Sequence, residues 1–159
     1  MKSQFILFGE ESELLERSCA RLFQETYARG VFLIDKDGQL IAGKDESNLI
    51  DTTALASLTA GNIAATGGLA QLLGEKEFPV QFHEGERENI HISLIGDRLI
   101  LVIIFDERSS LGLVRLKVKR THREVLDLLS QIDLKSNEQS TSVFSEITNE
   151  DIDELFSDT

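Results

Sequence analysis

The chain has 159 residues, enough for one domain with a buried core plus an appendage, and its 28 acidic against 16 basic residues give a formal charge of −12. A surface that negative repels phosphate backbones and anionic bilayers, so neither nucleic acid nor a membrane is an expected partner. One cysteine, Cys19, forms no internal disulfide; with no signal peptide and no apolar run near a membrane span, the expected setting is a reducing cytoplasm.

Residues 1–9 hold a short apolar run, Phe5 to Phe8, too brief to assign. From Ser12 to about Ala28 the spacing of Leu15, Cys19, Leu22 and Thr26 predicts an amphipathic helix. Glu10, Glu11 and Glu13 favour its positive end, and Gly30 is expected to break it. Val31 to Ile34, a turn at Asp37-Gly38 and Gln39 to Ala42 read as a β-hairpin, because Asp-Gly supplies the positive φ that such turns need. A polar loop, 44–50, follows.

Asp51 to Gly74 is the organising stretch. Leu55, Leu58, Asn62, Ala65, Leu69 and Leu72 recur at helical, near-heptad period. Asp51 or Thr52 caps the start and Gly74 the end. Gly61, Gly67 and Gly68 each cost about 1 kcal/mol relative to Ala inside a helix. Ser57, Gly61, Ala64 and Gly68 leave a second face almost bare, onto which a partner's backbone or the helix's own sheet can pack closely.

Beyond Gly74, residues 78–85 read as a strand with Phe78, Val80 and Phe82 on one side, and Pro79 marks it as an edge or a strand's first residue. Residues 89–96 alternate, with Ile90, Ile92 and Leu94 inward and His91 and Ser93 outward. A Gly96-Asp97 turn leads to 98–105, apolar throughout as a central strand would be. Ser109 or Ser110 caps a helix from 111 to 132, with Leu111, Val114, Val118, Val125, Leu129 and Ile132 on its buried stripe. From Asp133 the chain turns polar and acidic, which predicts disorder for 133–159 in isolation. Yet Phe144, Ile147, Ile152, Leu155 and Phe156 cluster there, and the last three share a face of a short amphipathic helix, so the tail reads as a contact for a partner. Helix, two strands, helix, three strands and helix make an α+β domain.

Catalytic chemistry is not evident. Gly38 to Lys44 fits a phosphate-loop pattern, but Asp45 stands where Ser or Thr must hold magnesium, and a strand through Leu40-Ile41 explains the same residues. Asp35, Asp37 and Glu46 mimic calcium-loop positions, with Leu40 in place of the required Gly. His83, His91 and His122 lack metal-ligand spacing and read as exposed, and Cys19 reads as a buried structural thiol. Arg115, Lys117, Lys119, Arg120 and Arg123 read as the solvated face of the last helix. No catalytic residue, metal or cofactor is expected.

The element order, together with VFLIDKDGQLI, IDTTALASLTAGNIAATGGLAQLLGE, LVIIFDERSSLGLVRLKVK and the tail SVFSEITNEDIDELF, resembles the roadblock (dynein light chain) family, on the branch that activates bacterial Ras-like small GTPases of the MglA type. The resemblance spans essentially the whole chain. It implies a roadblock/profilin-like fold over residues 1–132, a five-stranded antiparallel sheet flanked by helices, with a disordered C-terminal tail over 133–159. It also implies a homodimer whose two central helices form a platform for the GTPase, stimulation of GTP hydrolysis, and control of cell polarity and gliding motility, with a place at a cell pole. Partner contacts then fall to Ser57, Gly61, Ala64 and Gly68 and, in the tail, to Phe144, Ile147, Ile152, Leu155 and Phe156. Dimer contacts fall to Leu55, Asn62, Leu69, Phe78, Val80 and Phe82. The central helix has no Arg or Lys to serve as an arginine finger, so Arg108 is the one candidate, and the resemblance favours repositioning of the GTPase's own groups. The alternatives are a passive dimeric scaffold and a small-molecule sensory domain; the latter needs a roomy pocket, where small residues on the central helix predict tight packing.

Overall fold

The computed structural model describes residues 9–48 and 50–145; the expected tail contacts Ile147, Ile152, Leu155 and Phe156 lie outside that range. The elements run α1 (Gly9–Thr26), β1 (Gly30–Asp35), β2 (Leu40–Asp45), α2 (Thr52–Leu72), β3 (Val80–Glu84), β4 (Asn89–Ile95), β5 (Leu99–Phe105) and α3 (Leu111–Ser145). Among the described residues two compact units part between Leu126 and Asp127. The first holds the sheet, α1, α2 and the start of α3; the second, within the described residues, is the remainder of that helix.

The sheet has five strands in the order β2-β1-β5-β4-β3, every pair antiparallel. β5 lies in the middle and all seven of its residues are buried, as its unbroken apolar sequence requires. β3 begins directly after Pro79 and is an edge, so the missing proline N–H costs no ladder bond. The β1–β2 hairpin closes through Asp35, whose carboxylate accepts from the N–H groups of Asp37 and Gln39 at 2.9 and 3.1 Å, with Gly38 at φ +93°.

One face of the sheet packs Phe32, Ile34, Ile92, Leu94, Ile100, Val102 and Ile104 against Ala56 of α2. Phe32 fits there because two neighbours lack side chains. A Cβ added at Gly30 or Gly43 would stand 2.6 or 2.7 Å from its ring. The alternate residues, including Val31, Leu33, Ile95, Leu99, Leu101 and Ile103, are equally buried. They face α1 and the first turns of α3, which are joined by the Arg21–Glu124 ion pair.

Three expectations change. His91 and Ser93 are not outward: at 2% and 3% exposure they are buried, because helices cover both faces of the sheet. The first helix runs from Gly9 to Thr26 rather than from Ser12 to about Ala28; it ends through Tyr27 at φ +53°, and Gly30 opens β1 instead of breaking the helix. The last helix does not stop at Ile132 where the sequence turns polar; it continues to Ser145. That stretch contains neither Gly nor Pro, and polarity alone does not end a helix.

Candidate partner-binding surface

α2 starts where the Asp51 carboxylate accepts the Ala54 N–H at 3.1 Å, and stops at Leu73 and Gly74, the glycine at φ +78°. The residues turned to the sheet are small. Ala56, Thr59 and Ala70 are buried and Ile63 packs on the core, at spacings that continue through Thr66. This stripe is offset by one residue from the leucine stripe. A helix lying close on a sheet accepts Ala and Thr at the contact, and the leucines are displaced outward.

The outer face is correspondingly apolar. Leu58 is 74% exposed, Leu69 56%, Leu72 82% and Leu73 73%, although burying a leucine is worth about 1.5–3 kcal/mol. Ser57, Gly61, Ala64 and Gly68 lie exposed among them, and a Cβ built on Gly61, Gly67 or Gly68 would meet nothing within 4 Å. The bare face therefore does not pack on its own sheet. A row of leucines separated by bare backbone, carried on a rigid helix, is a surface that monomeric proteins rarely leave open.

Next to it lies the edge strand. Gln81 of β3 reaches across to α2, accepting from Asn62 Nδ2 at 2.9 Å and donating to Thr66 Oγ1 at 2.8 Å. On the other side of β3, Val80 is half exposed and Phe82 stacks on Phe105 with ring centroids 6.1 Å apart. Phe78 and Leu55 are half-buried. Among the expected dimer contacts, Leu69 and Val80 are thus open and Asn62 is already engaged within the chain. Phe144 lies on α3.

Arg108, the candidate finger, is clamped. Its guanidinium donates to both Glu46 oxygens at 2.6 and 3.2 Å and to Asp106 at 3.0 and 3.2 Å. These partners hold its pKa above the ordinary arginine value, and Arg108 in turn lowers the carboxyl pKa values of Glu46 and Asp106. Glu46 also pairs with Arg29, which pairs with Glu88, so the ends of β2, β1, β4 and β5 are tied by charge. Cys19 is fully buried, and burial, with Glu16 nearby, pushes its thiol up to about 12, far from a nucleophile's range. Among the described residues no group of three or more His, Cys, Asp or Glu side chains could hold a metal, and no helix is long and apolar enough to cross a membrane.

An α+β module with an open sheet edge beside an exposed apolar helix carries the kind of surface that protein contacts use. The chain is a member of the Roadblock/LC7 domain family, whose model matches residues 14–105. It is similar to MglB of Myxococcus xanthus, with 48% identity, a TM-score of 0.76, and 80% of this chain covering 96% of that one. A structure of MglB with a tetrameric arrangement shares 32% identity at a TM-score of 0.77, over 83% of this chain and 99% of that chain. The gliding protein mglB of Thermus thermophilus shares 34% identity at a TM-score of 0.76, over 82% of this chain and 99% of that chain. The fold is thus roadblock/profilin-like, as its sequence motifs imply. Comparison with curated protein sequences found no match.

Proposed function

We propose that this chain is a homodimeric regulator without catalytic residues of its own, which binds a Ras-like small GTPase of the MglA type and stimulates its GTP hydrolysis. The observation that carries the reading is the outer face of α2, where Leu58, Leu69 and Leu72 stand exposed around Ser57, Gly61, Ala64 and Gly68. Similarity to MglB across most of the chain supports it. Two copies pair through β3, placing the α2 helices side by side; Leu55, Asn62, Leu69, Phe78, Val80 and Phe82 form or brace that contact. Pairing removes an edge that otherwise invites aggregation. The segment from Phe144 through Phe156 supplies a second contact to the GTPase. The biological setting is control of cell polarity and gliding motility.

The stimulation works by repositioning groups the GTPase already owns. α2 has no cation, and Arg108 has two carboxylate partners to abandon before it could act as a finger. GTP turnover by an MglA-type GTPase, with and without this chain, tests the function: acceleration is expected, and binding without acceleration leaves only a scaffold. In the same assay Arg108→Ala should change the rate a few-fold at most. A loss on the order of 10³ would assign Arg108 as a finger.

A further inference from the structure

On the side of the sheet away from α2, a cavity of about 560 Å³ opens between β3, β4 and α3, within the size range of small-molecule sites. Pro79, Val80 and Val118 give it apolar walls. Lys119 and Arg123 stand on its rim, one helical turn apart and both exposed. The neighbouring Arg120 is neutralised by Glu124 at 3.3 Å, but Lys119 and Arg123 have no ion-pair partner among the described residues. From Leu111 to Arg123 the helix carries no acidic residue at all, in a chain whose net charge is −12. Like charges at this spacing repel, and an anion bridging them would relieve that repulsion. His122 is held beside them, its Nε2 3.2 Å from the Leu94 carbonyl oxygen. Ser93 forms part of the wall at 3% exposure, and its hydroxyl has no hydrogen-bond partner among the described residues.

We propose that this cavity binds an amphipathic carboxylate, an organic acid whose hydrocarbon body fills the apolar walls while its carboxylate bridges Lys119 and Arg123. The two halves of the ligand follow from the two halves of the site. An apolar cavity alone would take a neutral hydrocarbon and a cationic stripe alone an inorganic anion; their juxtaposition selects a molecule with both parts. The site lies between β3, β4 and α3, opposite the α2 surface, and shares only Val80 with the proposed pairing edge, so the proposal does not rest on the GTPase reading.

Decanoate is the probe, titrated below its self-association concentration into the uniformly 15N-labelled full chain, with decanol and acetate as controls. Saturable shifts should centre on residues 79–80, 93–94 and 118–123. Acetate and decanol should bind more weakly than decanoate. Lys119→Gln with Arg123→Gln, both exposed and without structural partners, should retain the circular dichroism spectrum and weaken decanoate binding by about tenfold or more, the loss expected for one charged hydrogen bond. Equal binding by the double variant, shifts centred elsewhere, or no saturation overturns the proposal. So does a fall to monomer mass by light scattering on addition of decanoate, which makes the groove a contact between copies. A response only to phosphatidylglycerol vesicles overturns it as well, in favour of a lipid surface.

Discussion

His91 sits on β4 with its ring in the apolar layer beneath α3, and its Nδ1 has no hydrogen-bond partner among the described residues. Burial, and the positive charge of Arg115 next, lower its pKa from the usual histidine value. The folded chain therefore holds His91 neutral while the unfolded chain takes up a proton below about pH 6.5. Stability is complete above that value and declines as pH falls through it toward the lower folded pKa. The urea midpoint should drop between about pH 7.5 and about pH 5.5, and His91→Leu should flatten that slope. The same slope in both proteins would place its origin elsewhere. Glu46 and Asp106 act further down the scale: their carboxyls are held low by Arg108, so their contribution is present above the unfolded carboxyl pKa and disappears as pH falls through the folded one. Because the Arg108 end of each pair is exposed, those pairs are also weakened by salt. A different residue-scale limit operates at Gly43, where an added Cβ would stand 2.7 Å from the Phe32 ring. Gly43→Ala should cost about 1–3 kcal/mol, read from the denaturant midpoint, the range for overpacking a core. A neutral substitution would mean that the ring moves freely.

At the scale of elements, the hairpin and the strands were legible because their signals are local: Asp37-Gly38 for the turn, Pro79 for an edge, an unbroken apolar run for β5. What escaped depends on contacts remote in sequence. Leucines at helical period mark α2 without saying which face meets the sheet, and Ala56, Thr59 and Ala70 do so. Alternation in β4 separates two faces but leaves open that both are covered, hence the misplacement of His91 and Ser93. The Arg108 clamp draws on Glu46, 62 residues away, and the cavity needs β3 and α3 brought together. The candidate surface was legible as the bare row Ser57, Gly61, Ala64 and Gly68, whereas the exposure of Leu58, Leu72 and Leu73 around it was not. Replacing Ala64 and Gly68 together with Arg tests that surface. Both positions are exposed, so circular dichroism should be unchanged while GTPase binding is lost. Unfolding of the double variant would instead make the face part of the chain's own packing.

For the molecule as a whole, an open β3 edge beside exposed Leu69 and Val80 makes self-association the expected state at micromolar concentration. Light scattering should return twice the chain mass, and a monomer there would remove the paired-helix platform. Deleting residues 146–159 should leave thermal stability and that mass unchanged while altering affinity for the GTPase or its nucleotide exchange. Unchanged affinity and exchange would remove the tail as a second contact.

Gln81 has a consequence for how such an assembly would respond to concentration. Its amide is the strut between the strand expected to meet a second copy and the helix expected to meet the GTPase, through Asn62 at 2.9 Å and Thr66 at 2.8 Å. A rearrangement of β3 on pairing would reach the Asn62 and Thr66 side chains of α2 through these bonds, and equilibrium linkage would make the coupling reciprocal: whatever factor pairing adds to GTPase affinity, the bound GTPase returns to the pairing constant. Dilution would then loosen both contacts in step, and a saturating GTPase would hold pairs together at concentrations where the free chain separates. Gln81→Leu, which keeps the bulk and cuts the strut, would weaken the part of that coupling carried by these two bonds.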